Sequence, residues 1–318
     1  MNEERKTCQV GFGLRKITPP LPCELAGYPH VRQGGTVRDD LFFRVMAIRS
    51  GGQAVVFGVA DLIAMTEEIC EPARQRIASE CGVPAECIML SATHTHTGPE
   101  VRDTNKVRNP EYIAWLSNEV AEAMRQALDN MFEATLRVGR GEACNVAFNR
   151  IFRQANGQEV FGLGRASAKE LGAPGQATAR VIGPAGDVDP TVLTLAAYDE
   201  TKRLRGALVN FACHPDVIGG ATADFVSADW PGMTCDALSG IYGDDTVFVL
   251  MQGASGDINH NSNRDDFIPR GGPLRAALIG RAVAGAAALA IESASRDLEP
   301  KISGTQRMVE IPFLTRTE

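Results

Sequence analysis

Residues 91–99 carry two histidines separated by a single residue, His94 and His96. They follow a short apolar run, residues 87–90, that is typical of a buried strand, and they precede a Gly-Pro pair that interrupts regular structure. Side chains two positions apart in an extended backbone point to the same side. Because neutral imidazole is a common ligand of zinc, the spacing favours one shared metal ion over two exposed polar side chains.

Two further histidines, His214 and His260, also follow apolar runs and have Asp or Asn among their neighbours. A catalytic zinc site commonly takes three protein ligands and leaves one position for water, whose pKa falls from about 15.7 to about 7. We predict His94 and His214 as metal ligands. His96 is either a third ligand or the base that handles the proton of the bound water.

Three aspartates lie close in sequence to the predicted elements that end at these histidines: Asp61, Asp229 and Asp257. A carboxylate that accepts a hydrogen bond from a ligating imidazole fixes the tautomer of that ring. We therefore predict these three side chains as outer-sphere partners of the metal ligands. Taken singly, each could equally be a helix-cap or turn residue, which is the commoner role of an aspartate.

The elements that must position these residues occur in the same order twice: hairpin, helix, strand, polar motif. The periodicity of apolar residues predicts them at 41–48, 54–60, 67–81 and 87–90 in the first half and at 192–198, 204–211, 231–241 and 246–251 in the second. Further helices are predicted at 110–130 and from residue 272 to about 295. The second hairpin ends at His214, and the last strand runs into the segment that contains Asp257 and His260.

This order predicts an α/β fold with a mixed β-sheet core, built from two similar hairpin-helix-strand halves and flanked by helices. Open α/β sheets place ligands at the carboxyl ends of their strands, and all the polar motifs occupy such ends. We expect the two halves to meet there and to bring His94 and His214 together. A TIM barrel with its own His-x-His motif is disfavoured, because the eightfold alternation of strand and helix is missing.

Composition limits the possible partners. The chain has 318 residues, 44% of them hydrophobic, which is enough for a full core. Its net charge is −7 and no run of Lys or Arg occurs, so we expect no nucleic-acid partner. Residues 276–291 form the nearest approach to a membrane span but are interrupted by Arg281 and Gly285, so no integral membrane segment is expected.

The compartment is predicted from two weaker signals. Residues 1–6 are polar and are not followed by an apolar stretch, so we see no signal peptide. The eight cysteines are scattered without CxxC spacing, which favours reduced thiols and a cytoplasmic location over a secreted disulfide framework. The oligomeric state is not indicated by the sequence.

Four motifs, in this order, resemble the N-terminal catalytic domain of the neutral/alkaline (non-lysosomal) ceramidases: Thr93-His94-Thr95-His96-Thr97-Gly98-Pro99, Phe148-Asn149-Arg150, Asn210-Phe211-Ala212-Cys213-His214-Pro215 and Gly256-Asp257-Ile258-Asn259. The resemblance extends from about Gly11 to Ser295. That family hydrolyses the amide bond of N-acylsphingosine with a zinc-bound water.

The resemblance implies a role for four residues. It makes His94 and His214 the zinc-binding histidines, His96 the neighbouring catalytic histidine and Arg150 an active-site arginine. An arginine is suited to stabilising the oxyanion that develops on an attacked carbonyl, where one such donor is worth about 3 to 4 kcal/mol.

The sequence departs from the family in two respects. Asn259 stands where the family has a serine with an active-site role, and an amide cannot act as a nucleophile. The family also takes a Glu and a Tyr as metal ligands from a region beyond residue 318. We therefore expect residues 1–318 to form a single ceramidase-like catalytic domain without the family's C-terminal portion. Either the chain is a fragment, or the metal is weakly held, or Asp257 or His260 substitutes as a ligand.

Two functional hypotheses follow. The first is a zinc-dependent hydrolase of an amide bond that acts on N-acylsphingosine or a related small-molecule or lipid N-acyl substrate. The second is a non-catalytic relative that keeps the scaffold, has an incomplete metal site and binds a ligand or a partner. Metal content distinguishes them.

Overall fold

A computed structural model describes residues 8–162, 180–262, 269–310 and 312. Its centre is a nine-stranded mixed sheet. The strands are β1 (Cys8–Lys16), β2 (Phe42–Ser50), β3 (Gln53–Ala60), β4 (Ile88–Ala92), β5 (Phe132–Glu142), β6 (Thr191–Tyr198), β7 (Leu204–Phe211), β8 (Val247–Gln252) and β9 (Asp297–Leu298). The described α-helices are α1 (Glu67–Cys81), α2 (Pro110–Asp129), α3 (Asp229–Tyr242) and α4 (Pro273–Ser293).

The sheet is built from two equivalent halves. Its strand order is β4-β3-β2-β1-β5-β6-β7-β8, with β9 paired to β5, so that each half runs outward from the centre in chain order. Only β3 with β4 and β7 with β8 are parallel among the pairs of this sheet. The predicted mixed sheet with two hairpin-helix-strand halves and flanking helices is confirmed. Residues 132–142, for which no element was predicted, form the central strand β5.

The halves pack against each other face to face. Helices α1 and α2 cover the outer face of the first half, and α3 and α4 cover that of the second. A third apolar cluster lies between the inner faces and includes Val10, Met46, Leu208 and Val249. Strand β8 thereby contacts β2, β3 and β4. The result is four layers, helix-sheet-sheet-helix, held together by three apolar cores.

The same glycine motif seats a helix on the sheet in each half. A Cβ atom at Gly11 of β1 would overlap the carbonyl oxygen of Ala127 in α2, and one at Gly139 of β5 would overlap that of Ala290 in α4. A second glycine two residues later, in each strand, faces the preceding turn of the same helix. The helix backbones therefore lie directly on the strands, which only glycine opposite alanine allows.

Short ladders tie the connecting loops together: Cys23–Glu24 with Gln33–Gly34, Thr36–Val37 with Phe225–Val226, Phe148–Asn149 with Ile258–Asn259, and Ile151–Gln154 between Glu159–Phe161 and Val181–Pro184. Two 3-10 turns complete the regular structure that is described, Ala85–Cys87 and Gly220–Thr222. The ladder between Thr36–Val37 and Phe225–Val226 is parallel and joins a loop of the first half to a loop of the second.

Helix α4 is, among the helices described, long and apolar enough by length and composition to cross a membrane. The core helix of a globular domain has the same length and composition. Its Ile279, Val283 and Ile291 are fully buried in the core of the second half. In this fold α4 serves as the main core helix of that half.

The close seating of the helices predicts opposite effects for two glycine substitutions. Gly139→Ala forces β5 away from α4 and should lower the free energy of unfolding by about 3 kcal/mol, the upper range for overpacking. Gly285→Ala, in α4 itself, meets no atom within 4 Å and should raise it by about 1 kcal/mol through helix propensity. Urea unfolding followed by circular dichroism measures both. Equal effects would contradict the close packing.

Candidate metal centre

Three histidine side chains, from loops of both halves of the sheet, lie close together. His94 and His96 follow β4 of the first half, and His214 follows β7 of the second. Backbone hydrogen bonds fix these loops: His96 N donates to Pro215 O at 3.1 Å, and His214 N donates to Ile258 O at 3.0 Å. The first of these bonds joins the two halves directly at the site.

The imidazole rings form a compact cluster. Ring centroids are 5.1 Å apart for His94 and His96, 4.8 Å for His94 and His214, and 4.8 Å for His96 and His214. The ring planes are inclined to one another by 67° to 86°. One nitrogen from each ring lies within 4.8 Å of the other two. The two histidines predicted as ligands are thus brought together, and His96 joins them.

Backbone carbonyls fix the tautomers of two rings. His94 Nδ1 lies 2.7 Å from Ile63 O, and His214 Nδ1 lies 3.2 Å from Ser255 O. A carbonyl oxygen only accepts, so both Nδ1 atoms carry the hydrogen, and the neutral form of each ring then presents its lone pair at Nε2. Ligating histidines are commonly oriented by a hydrogen bond of this kind.

His96 is buried against the loop that contains Gly27 and Tyr28. A Cβ atom at Gly27, whose φ is +94°, would overlap the His96 ring, and the Tyr28 ring meets it edge-on with centroids 5.3 Å apart. Burial lowers the pKa of His96 to about 3, and burial also lowers the pKa of His214. Both rings are therefore neutral at physiological pH, as a metal ligand must be.

The donor set fits a zinc ion. Nε2 of His96 and Nε2 of His214 face each other at 3.0 Å. Two nitrogen lone pairs would repel each other at that distance, so either His96 Nε2 carries a hydrogen that it donates to His214 or the two atoms share a cation. Nδ1 of His96 is buried without a hydrogen-bond partner, so no carbonyl fixes this ring in one tautomer. Imidazole nitrogens are ligands that zinc accepts readily.

Asp216 also belongs to the site, although it was not predicted. Its carboxylate is mostly buried, and its Oδ1 lies 3.0 Å from Nδ1 of His260. The two atoms are close, but neither makes a hydrogen bond to the other. The available signal was spacing: Asp216 follows His214 by two residues, as His96 follows His94.

Arg150 lies beside the cluster. Its Nε and Nη2 donate to Gly256 O at 3.0 and 2.6 Å, and its guanidinium lies 4.6 Å from the centroid of the Phe161 ring. The positive charge of Arg150 contributes to lowering the pKa of His214, which places that charge near the ligand ring. Its predicted catalytic role stays a prediction.

Arg32 is a second arginine at the site and was missed. Its buried guanidinium donates through Nη2 to Ala26 O and His96 O and through Nη1 to Gly220 O. It therefore connects the loop of His96 with a loop of the second half. No local sequence signal marks such a residue, because its acceptors are backbone carbonyls and two of them, His96 O and Gly220 O, are distant in the sequence.

The predicted aspartates lie further from the rings. Asp61 Oδ2 accepts hydrogen bonds from Arg44 Nη1 at 2.6 Å and Phe42 N at 3.0 Å; in the part of the chain that is described, none of its hydrogen bonds reaches a histidine. Asp257 is exposed and accepts from Asn149 Nδ2 at 2.9 Å. This hydrogen bond holds the side chain of Asn149, the residue before Arg150. The predicted tautomer-fixing role stays a prediction for both.

Asp229 supports the loop that follows His214. Its Oδ2 accepts from Val217 N at 2.9 Å and Ile218 N at 3.0 Å, and its Oδ1 accepts from Trp230 N. Burial raises the pKa of this carboxyl to about 6 against the opposing effect of those backbone donors. Asp229 therefore acts on the loop and not on a ring directly.

Comparison with models of protein families and with curated proteins finds no match. Comparison with solved structures finds ceramidases with the same fold. The neutral ceramidase from Pseudomonas aeruginosa superposes with a TM-score of 0.76 at 17% identity, over 94% of this chain and 47% of that one. A ceramidase complexed with C2 gives a TM-score of 0.73 at 19% identity, over 93% and 45%. This chain spans about half the length of either ceramidase, and the resemblance predicted from the motifs is confirmed at the level of the fold, which it shares with the neutral ceramidases.

Proposed function

We propose that this protein is a zinc-dependent hydrolase of an amide bond, with N-acylsphingosine or a related small-molecule or lipid N-acyl compound as substrate. One observation carries the proposal: three imidazoles from two halves of the fold converge on one point, and backbone carbonyls accept a hydrogen bond from Nδ1 of two of them. The fold shared with two ceramidases supports the amide as the bond that is broken.

His94, His96 and His214 would hold the metal. A bound zinc ion supplies a Lewis acid that polarises a carbonyl and lowers the pKa of water to about 7. The protein's own contribution is orientation: Ile63 O and Ser255 O hold two rings in the tautomer that presents Nε2. Burial keeps His96 and His214 neutral, so the lone pairs of these two rings are available without competition from protons.

Arg150 would stabilise the negative charge that develops on the carbonyl oxygen of the amide. Two hydrogen bonds to Gly256 O and the ring of Phe161 fix its guanidinium in advance, and fixed donors stabilise a developing charge without reorganisation. Asn259 Oδ1 accepts from Asn261 N at 2.7 Å in a local turn. The reaction proposed here requires no nucleophilic side chain at that position.

Two exposed apolar side chains support an acyl group on the substrate. Val31 is 58% exposed and adjoins Arg32, and Phe161 is 60% exposed and lies under Arg150. A contiguous apolar patch beside a polar site marks a surface for an apolar ligand, and we propose that these two side chains belong to such a patch. We propose that the protein meets such N-acyl compounds in the cytoplasm.

Metal content tests the proposal first. The protein dialysed against zinc-free buffer should retain about one zinc per chain, as a three-histidine site does, and a chelator should abolish hydrolysis of short-chain ceramide. His214→Ala should lose both metal and activity. His30→Ala, which removes an exposed histidine, should keep both. A folded wild-type protein without metal or amidase activity would instead support the non-catalytic binding protein.

Arg150→Lys tests the oxyanion role, because lysine keeps the charge but loses the planar fork. We expect kcat to fall about 100-fold or more, the usual loss for one oxyanion donor, with zinc content unchanged by elemental analysis. Arg153→Lys is the matched control, since Arg153 lies three residues away and is exposed. Equal kinetics for both variants would remove Arg150 from the mechanism.

A further inference from the structure

We infer that the outward face of helix α4 pairs with the same face of a second copy of this chain, in an antiparallel dimer related by a two-fold axis. The inference uses none of the residues of the histidine cluster, so it holds or fails independently of the proposed function. It rests on the composition of that face and on the positions of its two charges.

Helices α2 and α4 occupy equivalent places in the two halves, but their outward faces differ. Each lies directly on a central strand through a pair of glycines. On α2 the outward charges pair within the chain: Arg125 lies 2.7 Å from Glu122 and 2.7 Å from Asp129, and Arg76 of α1 also pairs with Glu122. A helix face that stays in water typically carries charges in this way.

Helix α4 presents a mostly apolar surface instead. Six of its exposed or half-buried residues fall within about 100° of the helix circumference at 3.6 residues per turn, and we call them the outer stripe: Leu274, Arg281, Gly285, Ala288, Leu289 and Glu292. Leu274 is 64% exposed and Leu289 is 66% exposed. Apolar side chains grouped on an exposed face are typical of an interaction surface.

The two charges of the outer stripe are too far apart to pair with each other. Glu292 follows Arg281 by eleven residues, close to three helical turns, so both lie on one line about 16 Å apart. Tyr242 OH donates to Glu292 Oε1 at 2.9 Å, which holds the carboxylate at the surface. Among the residues that the structure describes, no ion pair includes Arg281.

A two-fold axis across the middle of the outer stripe makes these charges complementary. In an antiparallel pair centred between residues 286 and 287, Arg281 of each copy faces Glu292 of the other, so the same contact forms twice. Gly285 and Ala288 lie near the centre, where small residues let two helices approach closely. A Cβ atom at Gly285 would meet no other side chain within 4 Å, which leaves room there for Leu289 of the partner copy.

The end of α3 extends this surface. Tyr242 OH also lies 3.4 Å from Ala288 O, so the last turn of α3 is beside the outer stripe, and Ile241 in that turn is 57% exposed. A second copy satisfies both the apolar side chains and the two charges. A neutral lipid surface would cover the apolar side chains but leave both charges unpaired.

Sedimentation velocity of the full chain over a concentration series tests the dimer. We expect a Kd of roughly 1 to 100 μM, because an interface of one helix and one helix end from each copy is small for a specific complex. Arg281→Glu should raise the Kd at least about tenfold, since like charges then face each other twice, and Glu292→Arg should do the same. The double variant, which exchanges the two charges, should restore the wild-type Kd.

Lys301→Glu is the matched control. It makes the same change of charge at an exposed residue beside Ile302, which packs against the core between the inner faces and not against α4. Its Kd should equal that of the wild type. Every variant is first compared with the wild type by circular dichroism. If an Arg281 variant is unfolded, Leu289→Lys replaces it: a higher Kd supports the inference, and an unchanged Kd overturns it.

The exchange of charges gives a clear outcome. Single variants that dimerise as the wild type does, or a double variant as weak as the single ones, would overturn the inference. A wild-type protein that is still monomeric at about 1 mM would also overturn it, and binding of that monomer to phosphatidylcholine vesicles would assign the outer stripe to a lipid surface. A dimer that contains no zinc would support this inference while contradicting the proposed function.

Discussion

The metal centre depends on the packing of the two half-sheets against each other. Strands β4 and β8 form the two ends of one sheet, and in a flat sheet their loops would be far apart. The third apolar core folds the halves together, and only then can His96 N donate to Pro215 O. Burial of apolar surface between the halves therefore supplies the free energy that brings the polar site together.

Burial also explains the state of the histidines. Enclosing an imidazole lowers its pKa because the charged form loses hydration. Elsewhere in the protein a buried charge is compensated directly, as in the pair of Arg44 with Asp61. At the histidine cluster the neighbouring charges oppose one another: Asp216 raises the pKa of His96 and His214, whereas Arg32 lowers that of His96 and Arg150 that of His214. The site is suited to neutral nitrogen donors and not to protonated ones.

Much of the fold could be predicted because its signals are local. Hairpins, helices and the strand before His94 follow from apolar periodicity, and the repeated order of elements predicted both the two halves and the convergence of His94 with His214. Strand β5 was missed because glycine and charged residues interrupt its alternation, and the reason for those glycines is a helix more than a hundred residues away. Arg32 was missed for a similar reason, since two of its three acceptors, His96 O and Gly220 O, are distant in sequence.

Each half orients its own histidine. His94, after β4, is held by Ile63 O from the loop after β3, and His214, after β7, is held by Ser255 O from the loop after β8. The orientation of each ring is thus fixed by a contact within its own half. An ion bound by both His94 and His214 would link the two halves. Its binding free energy would then add to the stability of the four-layer fold. Loss of the ion would then first weaken the packing between the two halves, before the apolar core of either half was disrupted.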